Sequence, residues 1–464
     1  MTIASPADTL ASMTPSKFYV WWIASVAALG GLLFGYDWVV IGGAKPFYEA
    51  HFGLFSPSIQ GWAMSCALLG CFVGAVLSGI LSERFGRKPA LLAAALVFTV
   101  SSLGTGLAPT FSSFVAWRIC GGLAIGLASS LSPMYIAEIA PAALRGRLVC
   151  LNELTIVLGI LMAQVTNWRI AAHRTDDVMQ WNAATGWRWM FAATAVPAAV
   201  FLLGMFFVPE SPRWLALRGR DEEARRTLER LGGNENATAV LAEIEASVQH
   251  AEHGNELKMI LGRDLRPVML LGIGLAVLQQ WCGINVIFNY AHDIFAAAGY
   301  ALSDILFNIV VTGITMVIFT FLAIATVDRN GRRPLMLIGC AGLIVIYVTL
   351  GYFLHIHSHG IHMLALVVAA LACYAMTLAP VTWVVLSEIF PSRVRGTAMA
   401  VATGSLWAAC FVLTYTFPLL NAALGTAGTF WVYAGVCTAG LLGVKRWLPE
   451  TKGQTLEEIE SFWQ

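Results

Sequence analysis

The sequence predicts an all-α polytopic membrane protein, with twelve transmembrane helices in two six-helix halves and short cytoplasmic helices between the halves. Three observations predict it. Of the 464 residues 58% are hydrophobic and only 12% charged, with mean hydropathy +0.72, whereas soluble domains carry about 25% charged residues. Apolar runs long enough to cross a hydrocarbon core of ~30 Å, which takes ~20 helical residues, recur along nearly the whole chain. Finally, the chain repeats itself: "ERFGRKP" at Glu83 to Pro89 returns as "DRNGRRP" at Asp328 to Pro334, and "AEIAPAALRG" at Ala137 to Gly146 as "SEIFPSRVRG" at Ser387 to Gly396. A shorter "PE" echo at Pro209 and Pro449 follows in the same order. Echoes in order at nearly constant offset mark two copies of one architecture.

Taken in order, the spans are expected at 18–44, 57–82, 90–108, 113–133, 149–172 and 188–208 in the first half. The second half has 267–299, 303–326, 334–355, 363–386, 395–421 and 426–447. The domains are therefore 1–208, a cytoplasmic helical linker at 209–266, 267–447, and a cytoplasmic tail at 448–464. The linker holds charged patterns such as "DEEARRTLERL", which read as amphipathic surface helices. The start of the chain is polar and its first apolar run is long enough to span, so no cleaved leader is expected.

Charge sets the orientation. With both termini cytoplasmic, 23 of the 28 basic residues fall in inner segments and four in outer loops (Lys45, Arg169, Arg174, Arg188), leaving Arg118 alone inside a span. That is the bias expected when positive loops stay inside. The nine cysteines lie in or at the ends of apolar spans without CxxC spacing, so they read as small buried hydrophobes. No disulfide framework, metal site or bound cofactor is expected.

Asp37 and Arg118 are the charges to explain. A carboxylate in a span costs roughly 3 kcal/mol unless it faces water or a partner. The first span runs outward and carries Asp37 roughly 25 Å along its axis, while the fourth runs inward with Arg118 near its start. Both lie in the outer half of the membrane, where they can pair. An Asp that takes a proton when the arginine withdraws would couple proton uptake to a conformational change. The alternative is a purely structural ion pair.

In the seventh span, Gln279, Gln280 and Asn285 are candidate hydroxyl-binding groups. On an unbroken helix Gln280 and Asn285 would point about 140° apart, so they share a site only if the helix is interrupted, and Gly283 stands between them. Otherwise these amides would hold helices together. Trp383 and Trp407 offer faces for ring C–H groups, or serve as packing or belt residues.

Two parallel six-helix halves that rock around a midplane substrate are one of the known transporter plans. The repeated motifs, with "PESPRW" (Pro209 to Trp214), "LQQWCGIN" (Leu278 to Asn285), "PVTWVVLSEIFP" (Pro380 to Pro391) and "PETKG" (Pro449 to Gly453), resemble the signatures of the sugar porter family of the major facilitator superfamily. The likeness is greatest to bacterial proton-coupled xylose and hexose symporters. It implies that Asp37 and Arg118 are the proton-coupling pair, where passive facilitators carry a neutral residue at the aspartate position. It also places Trp383 and Trp407 in the sugar cavity. Glu83, Arg84, Arg87, Glu138, Arg145, Glu210, Asp328, Arg329, Arg332, Glu388, Arg395 and Glu450 would form an interdomain salt-bridge network that closes the inner face; read alone, these charges would anchor and orient the helices.

Departures from the family pattern narrow the cargo. Glu153 stands where a sugar-binding glutamine is usual, Met316 and Leu406 stand where amides are common, and Asn289 replaces one tyrosine of a pair. Glu153 would accept sugar hydroxyls, titrate as a second site, or pair with a nearby base. An ionised glutamate repels sugar acids, so the cargo is expected to be a neutral monosaccharide, with thin polar contacts favouring a pentose or lightly hydroxylated hexose.

The resulting expectation is proton-coupled symport by alternating access in a bacterial inner membrane, by a chain acting as a monomer, with monosaccharide, proton and lipid as partners and no nucleic acid. A passive facilitator is the alternative. A non-transporting sugar sensor would need a long cytoplasmic tail, for which Lys445 to Gln464 is too short, and no nucleophile–base set or large outer loop suggests an enzyme. "HIHSHGIH", His355 to His362, reads as a solvated outer loop, His292 as helix packing, and the sequon at Asn236 as cytoplasmic and so unused.

Overall fold

The computed structural model describes residues 15–141, 144–173, 178–232, 237–238, 241, 259–260, 262, 265–391 and 394–452. The sequon at Asn236 and the tail beyond residue 452 lie outside them.

Among the described residues the chain is helical throughout. The first five spans are Pro15–Phe52, Pro57–Phe85, Arg87–Gly106, Phe111–Ile139 and Arg145–Ala171. The sixth, Met179–Phe207, begins well before residue 188, because a π-helical turn at Asn182–Gly186 carries the helix through polar sequence. Linker helices follow at Pro212–Leu217 and Asp221–Gly232.

The second half is more broken. Its seventh span is three pieces, Arg266–Trp281, Ile284–Asn289 and Ala291–Ala297. Leu302–Asn330 and Arg332–His355 are continuous, and the tenth divides at Thr377 into Ile361–Met376 and Leu378–Ile389. The last helix, Arg395–Trp447, has 53 residues, about 80 Å of helix, too long for one crossing. Gly425, at φ 69°, breaks it into the eleventh and twelfth spans.

Hydropathy explains the packing. In each span 39–67% of the most apolar window is buried inside the protein, and the remainder faces lipid through residues such as Val76, Ile80, Leu203, Phe206 and Val345. Lipid is as apolar as these side chains, so close approach of small residues must hold the helices together. Gly70 and Gly74 of the second span lie against the backbone of the fourth, and Gly122 and Gly126 of the fourth against the backbone of the second. A Cβ at any of these would come within 2.2 Å of a carbonyl oxygen across the contact. Gly35 and Gly159 join the first and fifth spans in the same way, with Cβ-to-oxygen distances of 1.9 and 2.1 Å.

The halves meet along three seams. Gly42 of the first span lies against the backbone of Phe288 and Asn289 in the seventh, and Gly61 of the second against Tyr415 in the eleventh. Between the fifth and eighth, Gln164 Nε2 donates to Thr312 Oγ1 at 3.3 Å.

Three expectations from the sequence change. Lys45 is not in a loop: the first helix continues to Phe52, and Lys45 is buried within it. Arg188 also sits on a helix, its Nη1 donating to the carbonyls of Gly106 and Ala108. Cys120 and Cys150 are exposed rather than buried, and no disulfide joins the cysteines.

Candidate functional site

Asp37 and Arg118 lie on different helices but meet at the centre of the first half. Arg118 Nη1 donates to Asp37 Oδ1 at 2.6 Å, with the side chains 4% and 9% exposed respectively. The guanidinium also stands 5.4 Å from the Phe191 ring centre, which adds cation–π attraction. In this desolvated setting, removing one partner strands the other at a cost of about 3–5 kcal/mol. The pair opens on a small cavity bordered by Phe34, Trp38, Met64, Cys71 and Asn289. It has room for about one water, so its scale suits a proton carrier and not a sugar. Asn289 comes from the seventh span, which makes this cavity a junction of the two halves.

The amides assemble because the seventh helix breaks. Gly283 adopts φ 87°, a left-handed conformation that a side chain would resist, and the chain restarts as Ile284–Asn289. Asn285 Nδ2 thereby reaches Gln280 Oε1. Gln280 Nε2 donates to Gln279 Oε1 at 3.2 Å, and Gln279 Nε2 to the Ala379 carbonyl at 3.3 Å, beside the Thr377 break. The result is a buried relay of amides running from one helix break to the other. Asn289 Oδ1 is buried without a hydrogen-bond partner.

Trp407 is buried, packing edge-on against Phe34 and Trp38 at centroid distances of 5.6 and 6.1 Å. It therefore joins the second half to the wall of the Asp37 cavity. Trp383 is half-buried on the second piece of the tenth span. Phe34 and Trp38 were not singled out from sequence, although their i, i+4 spacing around Asp37 was a usable signal.

Glu153 is exposed on the fifth helix. It lies about 140° around the fifth helix from lipid-facing Leu158 and on the face of Gln164, the residue that bridges to Thr312. It therefore faces the opening between the halves. It forms no ion pair among the described residues. Met316 and Leu406 are buried.

At the linker end, the repeated motifs build repeated corners. Arg87 donates through Nε and Nη2 to Glu138 at 3.0 and 2.9 Å, and Ser211 Oγ donates to the same carboxylate at 2.5 Å. Glu210 accepts from the backbone N–H groups of Arg87, Lys88 and Ser211. In the second half Arg332 Nη2 donates to Glu388 at 3.1 Å, Thr451 Oγ1 donates to Glu388 at 2.5 Å, and Glu450 accepts from the N–H groups of Arg332, Arg333 and Lys452.

The two glutamates differ in proton affinity. Burial pushes the Glu210 carboxyl up, against its three N–H donors. Glu450 is less enclosed, so its backbone donors overcome the desolvation and hold it below the usual range.

These two corners are each closed within one half. Among the described residues, every ion pair at this end joins residues of one half. The physical reason is proximity: the glutamate of the same half lies on the adjoining helix. Glu83 takes part through its carbonyl, which accepts from Trp214 and Arg218. Arg84 lies over the Phe85 ring, and Arg145 is exposed. The side chains of Asp328, Arg329 and Arg395 lie outside the described residues.

At the opposite end, Lys45 contacts Glu49 and Asp293, while His292 lies 3.8 Å from Asp293. In the histidine-rich turn, His359 Nδ1 bonds with the Ala298 carbonyl, and Ser358 with His362.

Comparison with known proteins places this geometry. Residues 23–463 match the family model described as sugar (and other) transporter. The chain is 38% identical to the D-xylose-proton symporter of Escherichia coli (strain K12), over 96% of each chain. It is also 38% identical to the arabinose-proton symporter of Bacillus subtilis (strain 168), over 97% of this chain and 96% of the other. Its structure resembles the inward open conformation of the E. coli xylose transporter with TM-score 0.86 and 37% identity, covering 96% of this chain and all of that one. Against the same proton:xylose symporter bound to 6-bromo-6-deoxy-D-glucose the TM-score is 0.79, at 38% identity and with 96% and 99% covered.

Proposed function

This chain belongs to the sugar transporter family, and we propose that it carries a neutral monosaccharide together with a proton by alternating access. It would work as a monomer in a bacterial inner membrane with both termini cytoplasmic. The observation that carries the reading is the buried Asp37–Arg118 pair beside a water-sized cavity where the halves meet.

The mechanism follows from the cost of unpaired charge in a span. While Arg118 touches Asp37, the carboxylate is balanced and needs no proton. Rocking that withdraws the arginine leaves a lone carboxylate, and taking up a proton removes the penalty. Proton binding thereby becomes a condition of movement between states. The named relatives that couple protons to xylose or arabinose support this reading over passive facilitation.

The sugar would lie against the amide relay of Gln279, Gln280 and Asn285, with Asn289, Glu153, Trp383 and Trp407 completing its surroundings. Hydroxyls would exchange for the amide–amide bonds now present, so binding costs little hydrogen bonding. Glu153 would accept hydroxyl protons and repel sugar acids.

The deciding experiment is uptake of labelled xylose and glucose into proteoliposomes, with and without an inward proton gradient, competed by pentoses, hexoses, polyols and sugar acids. Gradient-driven accumulation of one neutral sugar is the expected result. Equilibration without accumulation would make the protein a facilitator and leave Asp37 a structural residue.

A further inference from the structure

The charges at the end remote from the linker form a cluster that the coupling mechanism does not use. Lys45 Nζ lies 3.0 Å from Glu49 Oε2 and 3.1 Å from Asp293, with side chains 6%, 12% and 27% exposed. Its ammonium is also 5.7 Å from the Tyr290 ring centre. Glu49 is on the same helix as Lys45, one turn on, whereas Asp293 belongs to the other half. Beside them is a cleft lined by Gln60, Phe417, Pro418 and Asn421, again from both halves.

The cluster sits directly over the Asp37 cavity. Lys45 is about two turns, roughly 12 Å, beyond Asp37 on the first helix, and Asp293 is about one turn beyond Asn289, which borders that cavity. Parting Lys45 from Asp293 therefore parts the same two segments that cover Asp37.

We infer that Lys45 and Asp293 form an outer latch, which holds the halves together over Asp37 while the linker end is open. The inference rests on the alternating-access reading and orientation proposed above. Two further features favour a latch over a fixed brace. The described ion pairs at the linker end stay within each half, so Lys45–Asp293 is the ionic link between halves among the described residues. Glu49, moreover, gives Lys45 a partner that travels with it at i+4 spacing. When the halves separate, the ammonium keeps one carboxylate and is never left bare, and Asp293 has His292 beside it. Each side of the broken contact retains a neighbour, which is what lets a contact open and close as a two-state element.

Cys71 provides the test, because it borders the Asp37 cavity and is 2% exposed. In right-side-out vesicles, with the other cysteines replaced, its modification by a membrane-impermeant methanethiosulfonate added outside reports outer opening without sugar or proton gradient. Asp293→Asn and Lys45→Met are each expected to raise the labelling rate about tenfold, and the double variant no more than either alone, as for two ends of one contact. Asp293→Glu, which keeps the charge, is expected to label like the wild type.

An unchanged rate in both single variants, or additive effects in the double, overturns the latch. Sugar uptake in the same vesicles separates the two ideas. Transport with unresponsive labelling sinks the latch alone, and responsive labelling with uncoupled transport sinks only the proton-coupling reading.

Discussion

The two halves repeat one another in sequence but are built differently. The first seats glycines against carbonyl oxygens of the neighbouring helix: Gly70 and Gly74 on Ile119 and Leu123, Gly122 and Gly126 on Ala67 and Cys71, Gly35 and Gly159 on Ile156 and Leu32. The second meets its own glycines with side chains: Gly272 faces the Phe390 ring, Gly339 the Thr377 hydroxyl, and Gly440 the Leu278 methyls. It also breaks two of its spans, at Gly283 and Thr377. Charge is divided in parallel, with Asp37 and Arg118 in the first half and the amide relay in the second. A half with locked helix contacts leaves the Asp37–Arg118 contact to be made and broken by its side chains, and a half that must fit around a ring of hydroxyls gains from joints. The difference suggests that the first half keeps the proton and the second adapts to the cargo.

The largest expected effect tests that division at the charge. Asp37→Asn should abolish accumulation of sugar against a gradient in proteoliposomes while leaving sugar exchange measurable. If uphill uptake survives, the first half is not where the proton is held.

Stiffness is tested next. Gly35→Ala would place a methyl 1.9 Å from the Ile156 carbonyl oxygen, whereas Gly440→Ala meets a Leu278 methyl, which can turn away. Overpacking typically costs about 1–3 kcal/mol, and a backbone obstacle should fall at or beyond the top of that range. Thermal unfolding in detergent should show a clear loss for Gly35→Ala and a small one for Gly440→Ala; equal losses would remove the contrast.

In the second half, Gln280→Ala takes away a hydrogen-bonding partner worth about 1–2 kcal/mol. The apparent KM for the transported sugar should rise roughly tenfold, with the accumulation reached at saturating sugar unchanged. A lost gradient with KM intact would mean that coupling extends into this half.

The linker-end corners allow a matched pair of variants. Arg87 bonds Glu138 through two nitrogens at 8% and 9% exposure, while Arg332 and Glu388 are 13% and 23% exposed. Arg87→Ala should destabilise by about 3 kcal/mol, as for a buried pair, and Arg332→Ala by nearer 1 kcal/mol.

The smallest effect is in pH. Glu450 has a depressed folded pKa, so its contribution is present above the unfolded value of about 4.3 and lost as pH falls through the folded one. Glu210 is raised, so its contribution is full below about 4.3 and lost as pH rises through its folded value. In thermal scans from pH 3 to 8, Glu450→Gln should lower the midpoint near neutrality, with the gap closing only as pH falls below about 4.3. Glu210→Gln should match or exceed the wild type near neutrality.

Much of this was legible before any coordinates. Span number follows from the thickness of the bilayer, so apolar length alone reports it. The break at Gly283 was implied because Gln280 and Asn285 could not otherwise share a side. The Asp37–Arg118 contact followed from depth, since helices of opposite direction brought both to one level. What escaped has equally physical causes. Lys45 looked like a loop residue because hydropathy fails at Ala44, although the helix itself continues to Phe52. The partners of Arg87 and Arg332 could not be chosen, since a duplicated motif supplies two glutamates of the same kind and sequence does not say which is adjacent. Phe34 and Trp38 flank Asp37 at i, i+4 spacing, yet in a run this rich in apolar residues aromatics read as packing.

The glycine contacts of the first half carry a consequence for descent. A position whose every larger replacement strikes a carbonyl oxygen is closed to drift, and several such positions lie on the helices that surround Asp37 and Arg118. Lineages diverging from this protein inherit a first half, with its buried ion pair, that substitution can scarcely revise. On the proposed reading, new cargoes are met by changing the jointed half and Glu153, while the source of power stays fixed.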